Sequence, residues 1–273
     1  MDEPKSDTYH DKQIHYSYEP VSIERYEKAF LEIKEQIKKG NTYLINLTFP
    51  SKLNIDYSLG EIYDYTDAKF KLIYHDKFVC FTPERFVKIK DNTIFTHPMK
   101  GTIDAKIPNA KEKILNNEKE MAEHTMVVDL LRNDLSMVAK KVRVEKFRYV
   151  DNIKAGEREL LQVSSKIRGE LEENWQDTIG DILCAMLPAG SITGAPKKST
   201  TEIIKKVEGY ERGFYSGVFG VFDGESVDSA IMIRYIEKIG EEFYYKSGGG
   251  ITIDSELISE YNEMCEKIYV PFL

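Results

Sequence analysis

The sequence predicts an α+β fold with large, mainly antiparallel sheets flanked by helices. Its predicted strands and helices come partly in runs rather than in strict βαβ alternation, which disfavours a parallel sheet. The chain has 273 residues, of which 41% are apolar and 31% charged, so it can bury a large core and is not disordered throughout. No repeat, low-complexity linker or composition break divides it, and one continuous domain is the simplest interpretation.

The first half of the chain begins with an amphipathic helix, predicted over residues 22–39. Apolar side chains recur there at three-to-four spacing, Ser22 is a suitable N-cap and Gly40 a suitable stop. The strands predicted next lie at residues 43–49, 77–81, 86–90 and 93–97, the last two forming a hairpin around Asp91 and Asn92. A long helix is predicted over residues 109–133.

The second half contains further predicted strands and helices, partly in runs. The predicted elements are strands at 141–150 and 160–170, helices at 177–186 and 196–207, a hairpin around Asp223 and Gly224, a strand at 242–247 and a helix from about 256. Pro196, with Thr193 just ahead of it, predicts a capped helix start, where free backbone N–H groups can receive a carboxylate.

Charge and composition exclude several classes of protein. The formal net charge of −8 opposes nonspecific binding to nucleic acid or anionic lipid, so an anionic substrate must be held by a few placed groups. No apolar run approaches the roughly 18–20 residues that span a bilayer, and the first 20 residues contain no signal-peptide core. We therefore expect a cytoplasmic protein with neither a membrane nor nucleic acid as partner. Cys80, Cys184 and Cys265 form no metal or redox pair and are expected to be buried free thiols.

Two pairs of glutamates are the first chemical signal. Glu120 and Glu123 lie three residues apart in one predicted helix, and Glu260 and Glu263 lie three apart in another. Residues at this spacing share a helix face, so the four acids would converge if the helices approached each other. Such a cluster would need a cation, and oxygen ligands suit Mg²⁺. On spacing alone, solvated helix faces are the commoner explanation.

Three glycine-rich or loop-like segments, at residues 98–102, 187–200 and 247–255, are the second signal. The spacing of a P-loop cannot be placed on the second segment, so its glycines do not argue for a nucleotide. The glycines at 248–250 permit either close backbone approach to a ligand or a bulge in a sheet.

Six motifs occur in a fixed order, namely PMKGT, EHTMVVDLLRND, LPAGSITGAPK, YSGVFGVF, SAIMIRYIE and GGGITIDSELISEYNEMCEK. Together they resemble the chorismate-utilising enzymes, over roughly residues 22–273, and they look most like the aminodeoxychorismate synthases among them. The resemblance implies the anthranilate synthase component I-like fold, with a catalytic domain at 22–273 and an N-terminal extension at 1–21 whose order the sequence does not determine. Larger members of the family carry a further N-terminal region ahead of this core.

The resemblance assigns the catalytic roles to two residues. Aminodeoxychorismate synthases carry a lysine that adds covalently to the ring where anthranilate synthases carry alanine, and this chain has Lys100 there. Glu84, in FTPERF, matches the glutamate that protonates the departing C4 hydroxyl and later acts as a base. A nucleophilic Lys100 should be partly desolvated or near another cation. Glu84 should have its pKa raised by burial or by neighbouring carboxylates.

The resemblance also assigns the binding residues. Glu123 and Glu263 match direct Mg²⁺ ligands, and Glu120 and Glu260 match acids that reach the metal through water. The residues that match the substrate pocket are Arg234, Lys267, Tyr215, Thr193, Gly248, Gly249 and Gly250. His124 matches a family histidine for which an orienting or packing role and a proton-transfer role are both open.

One departure from the family pattern bears on the reaction. Where isochorismate and salicylate synthases carry a water-activating lysine, this chain has Leu44, which cannot activate water. The resemblance thus implies that chorismate and ammonia form 4-amino-4-deoxychorismate, with ammonia from a glutamine amidotransferase subunit. Anthranilate synthase is an alternative that Lys100 opposes. A non-catalytic chorismate-binding or scaffold subunit is another, suggested by the shortened N-terminal region.

Overall fold

The computed structural model describes residues 15–155 and 158–272. Its helices are α1 (Ile23–Lys38), α2 (Leu59–Tyr65), α3 (Ala110–Asn116), α4 (Glu118–Ser136), α5 (Ile179–Met186), α6 (Gly190–Thr193), α7 (Lys197–Glu208) and α8 (Leu257–Glu266). The strands in the first half are β1 (Tyr16–Glu19), β2 (Leu44–Ile55), β3 (Phe70–Tyr74), β4 (Phe78–Thr82), β5 (Arg85–Lys90), β6 (Thr93–Thr96) and β7 (Met99–Asp104). Those in the second half are β8 (Lys140–Ala155), β9 (Arg158–Glu170), β10 (Gly194–Ala195), β11 (Val218–Phe222), β12 (Val227–Ile231), β13 (Tyr235–Ile239) and β14 (Glu242–Ile251).

The strands form two antiparallel sheets. In the first sheet the order is β1-β2-β14-β13-β4-β3, with the short β10 also paired to β2. In the second the order is β11-β12-β5-β6-β9-β7, and the long β8 runs along β9. The predicted α+β class with antiparallel sheets is therefore confirmed. No helix in the described ranges is long and apolar enough to cross a membrane.

Each sheet is covered by its own set of helices. On the first sheet, α1, α7 and α8 bury a core that includes Ile33 of α1, Leu47 of β2 and Met264 of α8. On the second sheet, Leu135 of α4 and Trp175 pack with residues of β5, β6 and β9. Burial of this apolar surface holds each helix in place. As a result, α4 is anchored to the second sheet and α8 to the first.

The predicted helix over 109–133 is two helices, α3 and α4. The break lies at Asn117, whose side-chain oxygen accepts a hydrogen bond from the backbone N–H of Glu120 at 3.0 Å. Asparagine is a favoured N-cap because this bond satisfies a free N–H of the first turn. The prediction of a single helix was therefore wrong, since the apolar pattern continues across a residue that starts a new helix.

Other differences arise where pairing with distant strands decides the structure. The PMKGT segment, predicted as a loop, contributes to strand β7, which pairs with β9. Tyr16–Glu19, within the predicted N-terminal extension, pairs with β2 and belongs to the first sheet, whereas residues 1–14 lie outside the described ranges.

Thr193 does not cap α7, because it lies in α6 and its hydroxyl donates to the Ala189 carbonyl at 2.8 Å. Among the cysteines, Cys80 is buried as predicted, Cys265 is partly buried, and Cys184 is exposed on α5.

A buried ion pair between Arg212 and Glu208 joins the helices to the first sheet. The side chain of Arg212 is 13% exposed and that of Glu208 only 1%. Arg212 donates to both carboxylate oxygens of Glu208, at 2.6 and 2.9 Å, and to the carbonyls of Asn46 and Ile192 and the hydroxyl of Ser216. All five N–H groups of the guanidinium are thereby used. The pair therefore links β2, α6 and α7 at one point.

We expect Arg212→Met to lower the free energy of unfolding by about 3–5 kcal/mol, because it leaves Glu208 buried without a countercharge. Denaturant unfolding followed by circular dichroism measures this loss. The control is Arg132→Met, which removes an exposed ion pair to Asp129 of the same 2.6 Å length and should cost about 0.5 kcal/mol or less. Equal losses for the two variants would contradict the role given to Arg212.

Candidate active site

The structure brings three of the four predicted acids around one amine, and the fourth, Glu260, next to two of those three. Glu120 and Glu123 lie on α4, and Glu260 and Glu263 lie on α8. The ammonium of Lys100, on β7, is 2.7 Å from Glu123 Oε2, and the charges of Glu263 and Glu120 also act on it. The charges of Glu263 and Glu123 in turn act on Glu260, which is almost completely buried. Acids from the two layers of the fold thus face one another.

Three lysines offset part of the negative charge of this cluster. Besides the Lys100 contact, Lys267 Nζ lies 2.7 Å from Glu263 Oε1, and Lys119 Nζ lies 3.9 Å from Glu123 Oε1. Lys119 was not predicted, although it stands one helical turn before Glu123 on α4. Oppositely charged residues at this spacing attract each other, which is the signal that would have identified it.

The environment of Lys100 only partly matches the expectation for a nucleophile. Its side chain is 30% exposed, so it is desolvated as expected, and burial by itself lowers its pKa. The neighbouring carboxylates of Glu123, Glu263 and Glu120 outweigh burial, and the pKa of Lys100 is raised above its ordinary value. By contrast, burial together with the charges of Lys100 and Arg234 lowers the pKa of Lys267, despite its contact with Glu263. The ammonium form of Lys100 is therefore the stable one in this arrangement.

The acid cluster has the chemistry of a hard-cation site. Glu120 Oε2 is buried without a hydrogen-bond partner in the described structure, and burial followed by the charge of Glu263 raises the pKa of Glu260. Carboxylate oxygens are ligands that suit Mg²⁺. Within 15–155 and 158–272, however, no three His, Cys, Asp or Glu side chains are spaced to hold a metal ion, and lysine ammonium groups contact Glu123 and Glu263. The donor set fits Mg²⁺ in its chemistry, and the acids would have to draw together to bind it.

The glycines at 248–250 lie within strand β14, opposite residues 46–48 of β2. The pairing runs from Phe243 to Ile251 without a register shift, so these glycines form no bulge. A Cβ atom on Gly249 would lie 3.7 Å from Glu260 Oε2 and from Lys267 Nζ. Gly249 therefore forms a floor beneath the charged cluster, where a side chain would fill the space next to the acids.

Glu84 lies between β4 and β5 and is partly buried. Burial raises the pKa of its carboxyl, and the Ser191 hydrogen bond and the charges of Lys267 and Arg234 oppose this rise without cancelling it. Ser191 Oγ, on α6, donates to Glu84 Oε1 at 2.9 Å. The expected rise in pKa is thus present, with burial as its cause. Ser191 was not predicted as a site residue, although it lies in the LPAGSITGAPK motif.

Arg234 follows β12 in a left-handed backbone conformation, with a φ of 53°. One guanidinium N–H donates to the Lys267 carbonyl at 2.6 Å, and the guanidinium lies over the Tyr269 ring at 4.4 Å. No Asp or Glu of the described ranges forms an ion pair with it. The planar group is held in place and still has N–H donors for an anionic ligand.

Two further predicted pocket residues, Tyr215 and Thr193, are buried. Tyr215 is buried against Tyr235, with ring centroids 5.8 Å apart, and burial raises its pKa above the ordinary value. The hydroxyl of Thr193 is already bonded to a backbone carbonyl. Leu44, at the position where isochorismate and salicylate synthases carry a lysine, is buried in an apolar cluster with Leu130.

His124 is fully buried, and its Nε2 lies 2.7 Å from the hydroxyl of Ser165. Burial lowers the pKa of His124 to about 4, so the imidazole is neutral near pH 7. Its ring also meets Phe147 edge to face, at 5.9 Å between centroids. These contacts favour the packing role over proton transfer.

An ion pair between two residues that were not predicted as site residues connects α4 to α6 and α7. Lys197 Nζ, at the start of α7, lies 2.8 Å from Asp134 Oδ1 on α4, and it also donates to the Met186 carbonyl at 2.7 Å. Asp134 Oδ2 accepts from the backbone N–H of Gly190 at 3.2 Å. Asp134 and Lys197 lie inside two of the six motifs, but neither motif states that they meet. The pair holds α4, with its acids, against α6 and α7.

Lys267 is the residue shared by both halves of the site. Its ammonium contacts Glu263 and the Gly248 carbonyl, and its own carbonyl accepts from Arg234. Its charge also acts on the carboxyl of Glu84. Lys267 therefore connects the acid cluster around Lys100 with Glu84 and Arg234.

Comparison with known proteins places this chain in a family. The family model described as "chorismate binding enzyme" matches residues 2–272. An "Uncharacterized PabA-like protein" from Haemophilus influenzae is 51% identical over 258 residues, which are 94% of this chain and 79% of that relative. Aminodeoxychorismate synthase component 1 of Bacillus subtilis is 31% identical over 265 residues, covering 92% of this chain and 55% of that protein.

A solved structure agrees with the sequence matches. Anthranilate synthase component I from Streptococcus pneumoniae superimposes with a TM-score of 0.77 at 25% identity, covering 93% of this chain and 58% of that one. The chain thus spans little more than half the length of this structure and of the Bacillus subtilis relative. From the match to almost its whole length and the shared fold, we conclude that the chain belongs to the chorismate-binding enzyme family.

Proposed function

We propose that the protein is an aminodeoxychorismate synthase component I, which converts chorismate and ammonia to 4-amino-4-deoxychorismate. The observation that carries the proposal is the position of Lys100. Its amine lies on β7 within the acid cluster, 2.7 Å from Glu123, at the motif position that separates the lysine-bearing synthases from their alanine-bearing relatives. We propose that this amine bonds to a ring whose carboxylate the cluster would hold through Mg²⁺.

Chorismate carries two carboxylates, and we propose that a separate set of residues binds each. Arg234, with free guanidinium N–H groups, and Lys267 would bind the enolpyruvyl carboxylate. The ring carboxylate would face the acids through Mg²⁺, held directly by Glu123 and Glu263 and through water by Glu120 and Glu260. When bound, the metal supplies neutralisation of that carboxylate and draws electron density from the ring, which favours attack at C2 and departure from C4.

In the proposed mechanism Lys100 forms and then breaks a covalent bond to the substrate, and Glu84 gives and then takes a proton. Lys100, as the neutral amine, bonds to C2 while the C4–O bond breaks, and Glu84 gives its proton to the leaving oxygen, so that water departs. Ammonia then bonds to C4 and the bond from C2 to Lys100 breaks. The ionised Glu84 removes a proton from the new ammonium group and is ready for another cycle. The enolpyruvyl group stays on the product.

Lys100 must lose its proton before it attacks, and its neighbours decide how readily. Glu123, Glu263 and Glu120 favour the ammonium form. A cation bound by these carboxylates would offset their charge and lower the pKa of Lys100 toward the neutral amine. We therefore propose that Lys100 reaches its neutral, nucleophilic form more readily when these carboxylates hold a cation. The name component 1 of the Bacillus subtilis relative supports a partner subunit, and we propose a glutamine amidotransferase as the ammonia source.

The decisive experiment incubates the pure protein with chorismate, Mg²⁺ and ammonium and identifies the product by mass and chromatography. Formation of 4-amino-4-deoxychorismate supports the proposal, and the 2-amino product would instead assign anthranilate synthase. Chorismate binding without turnover would assign a non-catalytic subunit.

We expect Glu123→Gln and Glu263→Gln each to abolish most turnover with little loss of fold, because each removes a charged metal ligand from a cluster of mutually repelling acids. Turnover measured across a Mg²⁺ titration, with thermal unfolding alongside, tests this. Glu266→Gln, on the exposed side of α8, is the matched control and should behave as wild type. Wild-type rates for both ligand variants at limiting Mg²⁺ would exclude the metal assignment.

Arg234→Lys keeps the positive charge but loses the planar fork and its stacking on Tyr269. We expect the KM for chorismate to rise by a factor equivalent to about 1–3 kcal/mol of binding free energy. Steady-state kinetics at saturating Mg²⁺ gives both constants. If KM and kcat are unchanged, Arg234 serves only to hold the Lys267 carbonyl.

Intact mass spectrometry with chorismate and Mg²⁺ but no ammonia should show an adduct confined to Lys100, because the second attacker is absent. Lys100→Ala should lose the adduct and can still form a 2-amino product by direct attack of ammonia at C2. A Lys100→Ala variant that makes 4-amino-4-deoxychorismate at the wild-type rate would refute the covalent mechanism.

A further inference from the structure

Glu84 depends on a single hydroxyl for its orientation. Its carboxyl is shielded from water, and the positive charges of Lys267 and Arg234 act on it. In the described ranges, Ser191 Oγ is the one hydrogen-bond donor to the carboxyl, at 2.9 Å from Oε1. The terminal carboxyl of a glutamate rotates over a broad range when nothing fixes it. Whatever holds Ser191 therefore also determines where Glu84 points.

Ser191 lies on α6, a single helical turn that is fixed on both sides. The Gly190 N–H donates to Asp134 Oδ2, and the Ile192 carbonyl accepts from the guanidinium of Arg212 at 2.9 Å. A Cβ atom on Gly190 would lie 2.7 Å from Leu130 Cγ, which shows how closely α6 approaches α4. Two buried ion pairs thus hold the residues that flank Ser191.

Ser191 also provides the hydroxyl of this turn that reaches outside the turn. The other hydroxyl, of Thr193, donates to the Ala189 carbonyl within the turn. A hydroxyl can donate to an ionised carboxylate and accept from a protonated one. Ser191 can therefore keep its contact with Glu84 in both protonation states.

We propose that Ser191 is a positioning residue that holds the Glu84 carboxyl toward the reacting oxygen both before and after it gives up its proton. The inference rests on the proposed function, in which Glu84 acts first as an acid and then as a base. The ion pairs Asp134–Lys197 and Glu208–Arg212 act through Ser191, since they fix the turn that carries it.

The hydrogen bond has a defined effect on the titration of Glu84. Donation from Ser191 stabilises the ionised carboxylate and so opposes the rise in pKa that burial causes. Removal of the hydroxyl raises the pKa of Glu84 further, because Lys267 and Arg234 alone then oppose burial. The protonated acid would persist to higher pH.

The test compares Ser191→Ala with Ser191→Thr in the full chain, with chorismate, Mg²⁺ and ammonium as substrates. We expect Ser191→Ala to lower kcat by about 10- to 100-fold, the loss that corresponds to one hydrogen bond to a charged group, with KM for chorismate nearly unchanged. The limb of the pH profile that requires protonated Glu84 should move to higher pH. Ser191→Thr, which restores a hydroxyl, should recover most of kcat and the wild-type profile.

Thr201→Ala is the matched control, because it removes an exposed hydroxyl of α7 that bonds only to the Lys197 carbonyl. Its kinetics should equal those of wild type. Thermal unfolding checks that Ser191→Ala remains folded, and Ser191→Cys, with a weak donor of similar size, should give an intermediate kcat if the alanine variant is unstable.

The outcomes separate this inference from the function on which it rests. If wild type makes 4-amino-4-deoxychorismate, Glu84→Gln does not, and Ser191→Ala retains the wild-type kcat and pH profile, the positioning role is wrong and the function stands. If KM rises and kcat does not fall, Ser191 binds substrate instead, and the inference is again overturned. If wild type makes no 4-amino product, both fail together.

Discussion

The site depends on a constraint some distance from its chemistry, the burial of the Glu208–Arg212 ion pair. Two charges removed from water must satisfy each other and their remaining hydrogen bonds within the protein. Glu208 does so by also accepting from the backbone N–H of Thr48, at 2.8 Å. The carbonyl of Arg212 accepts from the buried ammonium of Lys246, which pairs with Glu237 at 2.7 Å. The network therefore ties α6 and α7 to β2, β13 and β14. As a result, α6, which carries Ser191, is held to the sheet that contains Gly249.

Within that frame, the site is divided by charge. The acids of α4 and α8 meet where the helices of the two sheets approach, and lysines balance them. On the other side, Glu84 lies beside Arg234, with Lys267 shared between the halves. A dianionic substrate suits this division, because one carboxylate can meet the cations directly while the other needs a cation between itself and the acids. The same acids that would hold a metal also keep Lys100 protonated, so in the proposed mechanism metal binding and activation of the amine are coupled.

Local sequence predicted what short-range physics controls. The helix α1 was predicted from its apolar spacing, and Ser22 does cap it, accepting from the Arg25 N–H at 3.3 Å. The hairpin at Asp91 and Asn92 was predicted from residues that tolerate a left-handed backbone, which both adopt. The single helix over 109–133 was wrong because one side-chain cap at Asn117 outweighs a continuing apolar pattern. Strand β7 was missed because its pairing with β9, about 60 residues further along the chain, stabilises it more than its own residues do.

The sequence by itself determined the α+β class, the motifs that mark the family and the residue types of the candidate site. These features depend on apolar periodicity and side-chain chemistry, which follow directly from the order of the residues. Only the tertiary structure decided which of those side chains are free to act. It uses the Thr193 hydroxyl within its own turn, it places Ser191 against Glu84, and it surrounds Lys100 with acids that raise its pKa. The contacts of Glu84 with Ser191 and of Lys100 with the acids of α4 and α8 join segments that are separate in sequence, and such contacts together with burial set orientation and protonation.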